Sequence, residues 1–148
     1  IGGVYNDHTI GVWYDSESWA IFNQDHIDMP EGASFNVSIP ADDAATFVHT
    51  ADAGNISGNS TVFHHPHSDG NPDAIVRVTQ NWNPGGSGGA YNNHEIGVWF
   101  TGNDWSIFNQ DDAPMPEGAS FSVTVIDPPL FADGFESGNT SAWSATVP

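Results

Sequence analysis

Three histidines fall within four positions in the segment Phe63-His-His-Pro-His67, and Asp69 follows shortly after them. In an extended strand His65 and His67 share one face, which is a geometry that can hold zinc or copper. Pro66 interrupts strand pairing, however, and the segment leads directly into the turn Ser68–Pro72. Two interpretations therefore stay open for His65 and His67: they are ligands of a transition metal, or they are solvated turn residues.

Acidic side chains occur in pairs on segments that are expected to be loops. Calcium takes about six to eight oxygen ligands from carboxylates and carbonyls on flexible loops. None of the pairs lies in an EF-hand loop or in a nonapeptide calcium repeat, so an acidic surface that keeps the protein soluble is the competing interpretation. Ca²⁺ is the ion that the composition favours. The candidate ligands are Asp25 with Asp28, Asp69 with Asp73, and Asp111 with Asp112.

Tryptophans and polar side chains recur at matched positions and could recognise a sugar. An exposed tryptophan stacks on a sugar ring, while amide and carboxylate groups bond to its hydroxyls; buried, the same aromatic residues form a core. Strand alternation does not decide between these interpretations, because the parity of the intervening turn is unknown. Core packing is the expectation for most of the tryptophans. The candidate ligand-binding residues are Trp13, Trp19, Asn23, Gln24, Asp25, Trp82, Trp99, Trp105, Asn109, Gln110 and Asp111.

Enzymatic chemistry has little support in the residue pattern. Glu31 and Glu117 recur, but each lies in a Pro-Glu-Gly turn where glutamate is common. No Ser-His-Asp order, activated cysteine or cofactor fingerprint is present. The glycine-rich loop 81–89 lacks the Lys-Ser/Thr ending and the following helix of a phosphate loop. The sequence therefore predicts a protein without catalytic residues.

The charge balance excludes several classes of partner. Nineteen acidic residues face a single basic residue, Arg77, which gives a formal net charge of -18. Such a chain repels nucleic acid phosphates and anionic lipids. Arg77 is expected to form a buried or interfacial ion pair. The absence of lysine and the abundance of Thr, Ser, Asn and Gly suggest an extracellular or cell-surface protein, and no apolar run is long enough to span a membrane.

An internal repeat organises the chain. Residues 3–39 align with residues 89–125 without a gap, at the constant offset of 86 positions that separates Gly11 from Gly97, with 22 identities in 37 positions. The sequence thus contains a complete unit over residues 41–126, preceded by the back half of another unit over residues 1–40 and followed by a tail over residues 127–148.

Alternating and β-branched segments predict that every regular element is a strand. No window shows the sustained periodicity of a helix, so the fold is expected to be all-β, an antiparallel sandwich or a distorted barrel built from a duplicated strand unit. The predicted strands are Thr9–Tyr14, Trp19–Asn23, Ser34–Ile39, Thr46–Thr50, Thr61–His65, Ala74–Gln80, Glu95–Phe100, Trp105–Asn109 and Ser120–Val125.

Several long motifs resemble a known type of domain. They are Asn81-Trp-Asn-Pro-Gly-Gly86, Gly97-Val-Trp-Phe100, Ile107-Phe-Asn-Gln-Asp111 and Met115-Pro-Glu-Gly-Ala119. Together they resemble an uncharacterised tandem-repeat β domain of secreted bacterial proteins, and the tail segment Phe131–Trp143 is similar to a C-terminal element of exported Gram-negative proteins. The resemblance implies secretion and a repeat habit, without a mechanism.

The half-copy suggests a function in assembly. Its strands lack the partners that Thr46–Gln80 provides to the second copy, and unpaired strand edges invite pairing. Either both back halves enclose the single front half, or a neighbouring subunit supplies the missing strands. We therefore expect a homo-oligomer or homopolymer, such as a filament or surface layer. A glycan-binding module and an accessory spacer domain of a larger secreted enzyme are the alternatives.

Overall fold

The computed structural model describes residues 2–40, 45–86 and 88–126, and the regular structure in these ranges is entirely β. No helix long and apolar enough to cross a membrane occurs in the described ranges. In chain order the strands are Ile10–Tyr14 (β1), Trp19–Asn23 (β2), Thr46–Thr50 (β3), Ile56–Ser57 (β4), Ser60–Phe63 (β5), Ile75–Gln80 (β6), Ile96–Phe100 (β7), Trp105–Asn109 (β8) and Ser120–Ile126 (β9).

The strands form three antiparallel groups. β1 and β2 make a hairpin, β9 lies between β3 and β6, and the remaining sheet has the order β4-β5-β8-β7. The two larger sheets face each other, as the ring contacts of Phe63 with Phe47 and His49 show. The prediction of an antiparallel all-β fold is confirmed, and in the described residues none of the sheets closes into a barrel. The arrangement is that of a β-sandwich.

The core belongs to the complete unit, and strand alternation explains it. In β9 the side chains of Phe121, Val123 and Val125 are buried, whereas those between them are half-buried. Phe63 and Ile107 from the facing sheet complete the same cluster. Burial of these large side chains is the main source of stability in a domain of this size, at roughly 1.5–3 kcal/mol for each fully buried one.

One predicted strand is not formed. Residues 34–39 match β9 in sequence, yet they have no strand structure, and Phe35, Val37 and Ile39 are 37%, 69% and 88% exposed. The reason is the absence of partners: β9 is held between β3 and β6, and the described residues contain only one such pair. A second, smaller difference is that the strand predicted at Thr61–His65 is observed as Ser60–Phe63, before Pro66, with the short β4 in front of it.

Candidate functional site

The leading half-copy, residues 2–40, docks on its own chain through the edge of β1. Val12 and Asn81 form a parallel bridge, and the backbone N–H of Trp82 donates to the carbonyl of Val12 at 2.9 Å. The side-chain amide of Asn83 completes the ladder. Its Oδ1 accepts from the Tyr14 N–H at 2.9 Å, and its Nδ2 donates to the Tyr14 carbonyl at 2.8 Å.

Aromatic side chains cover this backbone contact. Trp13 meets Trp82 edge to face, with ring centroids 6.4 Å apart. Tyr91 lies against Trp82 at 5.3 Å and against Phe22 at 6.0 Å. Trp13 and Trp82 are half-buried by these contacts. The Asn-Trp-Asn motif is therefore a docking segment for the leading hairpin.

A buried glutamine pair joins the two parts as well. Gln24 donates from Nε2 to Oε1 of Gln80 at 3.1 Å, and Gln80 donates from its own Nε2 to the His94 carbonyl at 3.1 Å. Gln24 and Gln80 are 2% and 4% exposed. Hydrogen bonding between the buried amides compensates for part of their loss of water, since Oε1 of Gln24 has no hydrogen-bond partner among the described residues. The pair therefore fixes how the leading hairpin sits on the complete unit.

The back half of the complete unit has a second set of contacts, made with the front half, residues 45–80. Asn59 donates from Nδ2 to the Asn109 carbonyl at 2.8 Å, and the Met115 N–H donates to the Gly58 carbonyl at 3.0 Å. The indole Nε1 of Trp105 donates to the Asn71 carbonyl at 3.0 Å. β5 pairs along the outer edge of β8.

No described residue makes the matched contacts to the leading half-copy. β2 matches β8, but β1 is its only strand neighbour in the described part of the chain. Trp19, which matches Trp105, is 59% exposed. Within the described residues, the leading half-copy thus presents an unpaired edge of β2 and, in addition, the exposed segment that holds Phe35, Val37 and Ile39.

The candidate sugar-binding residues separate into buried and exposed groups. Asn23, Gln24 and Asn109 are buried, and Asn23 is engaged on both sides of its amide, with Asn6 at 2.9 Å and the Ile27 carbonyl at 3.0 Å. Trp105 packs against the core cluster, so the expectation that most tryptophans belong to the core holds for one of the candidate five. Trp13, Trp82 and Trp105 are half-buried, whereas Trp19, Trp99, Gln110 and Asp111 are exposed.

Matched aspartate–histidine pairs hold the turns that follow β2 and β8. Asp25 lies 2.6 Å from the ring of His8, and Asp111 lies 2.7 Å from the ring of His94. The backbone N–H of Ile27, followed by His8, holds the pKa of Asp25 below its usual value. The hydrogen bond from His94 is the largest cause of the lowered pKa of Asp111. These carboxylates are occupied in shaping turns.

The histidine segment forms a different cluster from the one predicted. His64 Nδ1 lies 3.2 Å from Asp104 and 3.7 Å from Asp69. Within the described ranges, His64, Asp69 and Asp104 form the group of three side chains whose possible ligand atoms all lie within 4.8 Å of one another. His65 stacks on Phe47 at 4.8 Å and on His67 at 5.3 Å. Sequence reasoning missed Asp104, because only the fold brings the β7–β8 turn to the histidine segment.

The remaining predicted ligands lie outside that cluster. Asp112 accepts from Asn59 at 3.4 Å. Asp28 and Asp73 are exposed on loops and join no group of three converging ligands among the described residues.

The expectation of a buried ion pair for Arg77 is wrong, whereas an ion pair across an interface stays a prediction. Arg77 is exposed on the outer face of β6, and it forms no ion pair with any residue that the structure describes. The alternation of β6 directs Arg77 outward together with Ile75 and Thr79. The predicted tail, residues 127–148, lies outside the described residues.

Comparison with known families gives one match. The model of a domain family of unknown function, DUF7452, matches residues 1–39 and residues 11–125. None of the curated proteins matches the chain. None of the solved structures matches it either.

Proposed function

The chain belongs to the domain family DUF7452, whose function is unknown, and we propose that it is a non-enzymatic extracellular structural module that associates with further copies of itself by strand pairing. The observation that carries the proposal is the surface of the leading half-copy. This surface has two features, which together are called here the open face: the edge of β2 that has no strand partner among the described residues, and the exposed side chains of Phe35, Val37 and Ile39.

The open face is the counterpart of a buried interface. Phe121 and Val123 are 0% exposed in the complete unit, whereas the matched Phe35 and Val37 are 37% and 69% exposed. The same residue types are therefore fully buried in one copy and partly or largely exposed in the other. An unpaired strand edge is a template for pairing with another chain, and exposed apolar side chains mark a surface that a partner can cover.

An unpaired strand edge of a neighbouring copy has the chemistry that the open face requires. In the complete unit, β5 supplies backbone groups to β8, and β3 and β6 flank β9. Strand addition from a second copy provides backbone hydrogen bonds and covers the apolar side chains at the same time. When the donor and acceptor surfaces differ, such contacts propagate head to tail and build a filament or layer.

Charge supports an extracellular role and sets a condition on assembly. A net charge of -18 opposes close approach of two copies, so cations that screen or bridge the carboxylates favour association. Calcium is the divalent ion that suits exposed loop carboxylates. The sugar-binding alternative has less support, because Asn23, Gln24 and Asn109 are buried within the fold.

The proposal is tested by measuring mass against concentration. Sedimentation velocity of the full chain, with calcium and then with a chelator, is expected to show a mass that rises with concentration. A double variant, Val37→Asp with Ile39→Asp, is expected to stay monomeric, because charges on the open face oppose its burial.

A matched control separates the open face from general acidity. Val48 is apolar and 50% exposed, but it lies on β3 of the complete unit. Val48→Asp is expected to associate as the unaltered chain does. A full chain that remains monomeric throughout, or a double variant that associates undiminished, contradicts the proposal; a monomer that binds a glycan array supports the sugar-binding alternative.

A further inference from the structure

The outer edge of β7 matches the edge of β1 that binds the Asn81-Trp-Asn83 segment. β1 and β7 lie 86 positions apart, and four of their five residues are identical. β1 carries the docking segment, whereas β7 ends its sheet, with β8 as its only strand neighbour in the described ranges. We propose that the edge of β7 is a docking site for the Asn-Trp-Asn segment of a further repeat unit.

The backbone of β7 is prepared for this ligand. The hairpins have the same register: Ile10 lies opposite Asn23, and Ile96 lies opposite Asn109. The groups of Val12 and Tyr14 that bond to Trp82 and Asn83 therefore have their counterparts in Val98 and Phe100. An Asn-Trp-Asn segment lying parallel to β7 would find the same carbonyl, N–H and carbonyl in the same order.

Gln24 and Gln110 lie at matched positions beside β1 and β7, but they differ in exposure and in hydrogen-bond partner. Gln24 is buried and reaches across the interface to Gln80 at 3.1 Å. Its counterpart Gln110 is exposed and donates to the Ile96 carbonyl of its own hairpin at 3.0 Å. Because Gly11, Phe22 and Asn23 have identical counterparts in the second hairpin, we attribute the difference to the presence or absence of a docked segment.

The aromatic contact shows the same contrast. Trp13 packs edge to face on Trp82 and is half-buried, whereas Trp99 is 47% exposed. Trp99 also lines an open depression together with Asn59, Ser60 and Phe108. An incoming tryptophan would meet Trp99 as Trp82 meets Trp13, with an edge-to-face contact worth about 0.5–1.5 kcal/mol beyond the area that it buries.

The occupant is identified by the contact already present in the chain. The leading half-copy is the back half of one unit, and it is docked on the Asn-Trp-Asn segment of the next unit along the chain. Repetition of this contact at the offset of 86 residues generates a linear array in which each back half binds the following unit. The inference rests on the proposed structural function, but it concerns a different strand edge, that of β7, from the open face.

The test lengthens the full chain by one unit. A copy of residues 41–126 is inserted between Ile126 and Asp127, which keeps the offset and the tail. Hydroxyl-radical footprinting then measures the reactivity of each tryptophan. Trp99 is expected to lose reactivity several-fold and reach the level of Trp13, while the matching tryptophan of the inserted unit stays as reactive as Trp99 is in the original chain.

Two controls keep the result specific. Changing the tryptophan of the inserted Asn-Trp-Asn segment to alanine is expected to restore most of the reactivity of Trp99. Addition of a peptide with the sequence of residues 79–86 to the original chain is expected to shift the amide resonances of Val98 and Phe100. A peptide whose tryptophan is replaced by alanine should shift them much less.

Undiminished reactivity of Trp99 in the lengthened chain overturns the inference. Protection of Trp99 that persists when the inserted tryptophan is changed to alanine also overturns the inference. If a glycan, and not the inserted unit, protects Trp99, the site binds sugar and the inference is overturned. Failure of the inference and failure of the proposed function give different results. A lengthened chain that protects Trp99 but stays monomeric contradicts self-association only, and a chain that associates through the open face with Trp99 reactive contradicts docking only.

Discussion

Trp105 donates its indole N–H to the carbonyl of Asn71 over 3.0 Å, and this bond ties the back half of the complete unit to its front half. The matched Trp19 is 59% exposed, since no described segment covers it. Two tryptophans in nearly identical sequence therefore have different structural roles. The difference makes the leading half-copy a natural control for the complete unit.

Trp105→Ala is expected to lower the free energy of unfolding by about 3 kcal/mol, the lower end for removal of a large aromatic side chain from a core, because Trp105 is half-buried. Trp19→Ala is expected to cost less than about 1 kcal/mol, as for exposed substitutions. Urea denaturation of both variants measures the difference. Equal losses would mean that Trp19 is covered in solution.

Stability is expected to fall as the pH decreases below 6.5 because of His49. Burial lowers the pKa of His49 below its ordinary value of 6.5, an effect that His64 strengthens and Asp52 opposes. The unfolded chain therefore takes up the proton first, so stability is complete above pH 6.5 and is lost as the pH falls toward the folded-state pKa.

His49→Gln is expected to flatten this part of the pH profile, measured by urea denaturation between pH 7 and pH 4.5. His67→Gln, an exposed change in the histidine segment, controls for the loss of a histidine. An unchanged profile in His49→Gln would show that another group titrates.

The carboxyls of Asp25 and Asp111 contribute to the pH dependence of stability in a lower pH range. Their lowered pKa values mean that their contribution to stability is present above pH 3.8 and is lost as the pH falls below it.

Arg77→Ala is expected to change the free energy of unfolding by less than about 0.5 kcal/mol, as surface substitutions usually do. Arg77 is exposed and makes no ion pair with the described residues. Thermal unfolding of this variant beside Thr79→Ala, which lies on the same face of β6, measures the effect. A loss of several degrees specific to Arg77→Ala would reveal a partner beyond the described ranges.

Salt is expected to promote association of the full chain. With 19 acidic residues and one basic residue, copies repel one another, and the Debye length falls from about 10 Å at 0.1 M salt to about 3 Å at 1 M. Light scattering across this range should show a rising mass for the unaltered chain and little change for the variant with aspartate at Val37 and Ile39. A mass that falls with salt would indicate that charge pairs hold the copies together.

The local structure of this protein follows from its sequence. Gly32 and Gly118 have φ values of 88° and 89°, and His26 and Asp112 have 65° and 62°, so matched turns keep their shape in both copies. Hairpin register and the aspartate–histidine pairs are also the same in both. Turn residues and neighbouring strands act over short distances, and the repeat, the hairpins and the all-β class could therefore be predicted.

Tertiary structure decided what the repeated residues do. Residues 34–39 and 120–125 have similar sequences, yet only the second segment is a strand. A strand is stabilised by hydrogen bonds to neighbouring strands, and only β9 lies between two of them. Gln24 is buried and Gln110 is exposed for the same reason, since only Gln24 has a partner in another part of the described chain. Neither pattern nor propensity reveals which partner reaches which copy, since hydrogen bonds and burial between distant segments depend on where the whole chain places them.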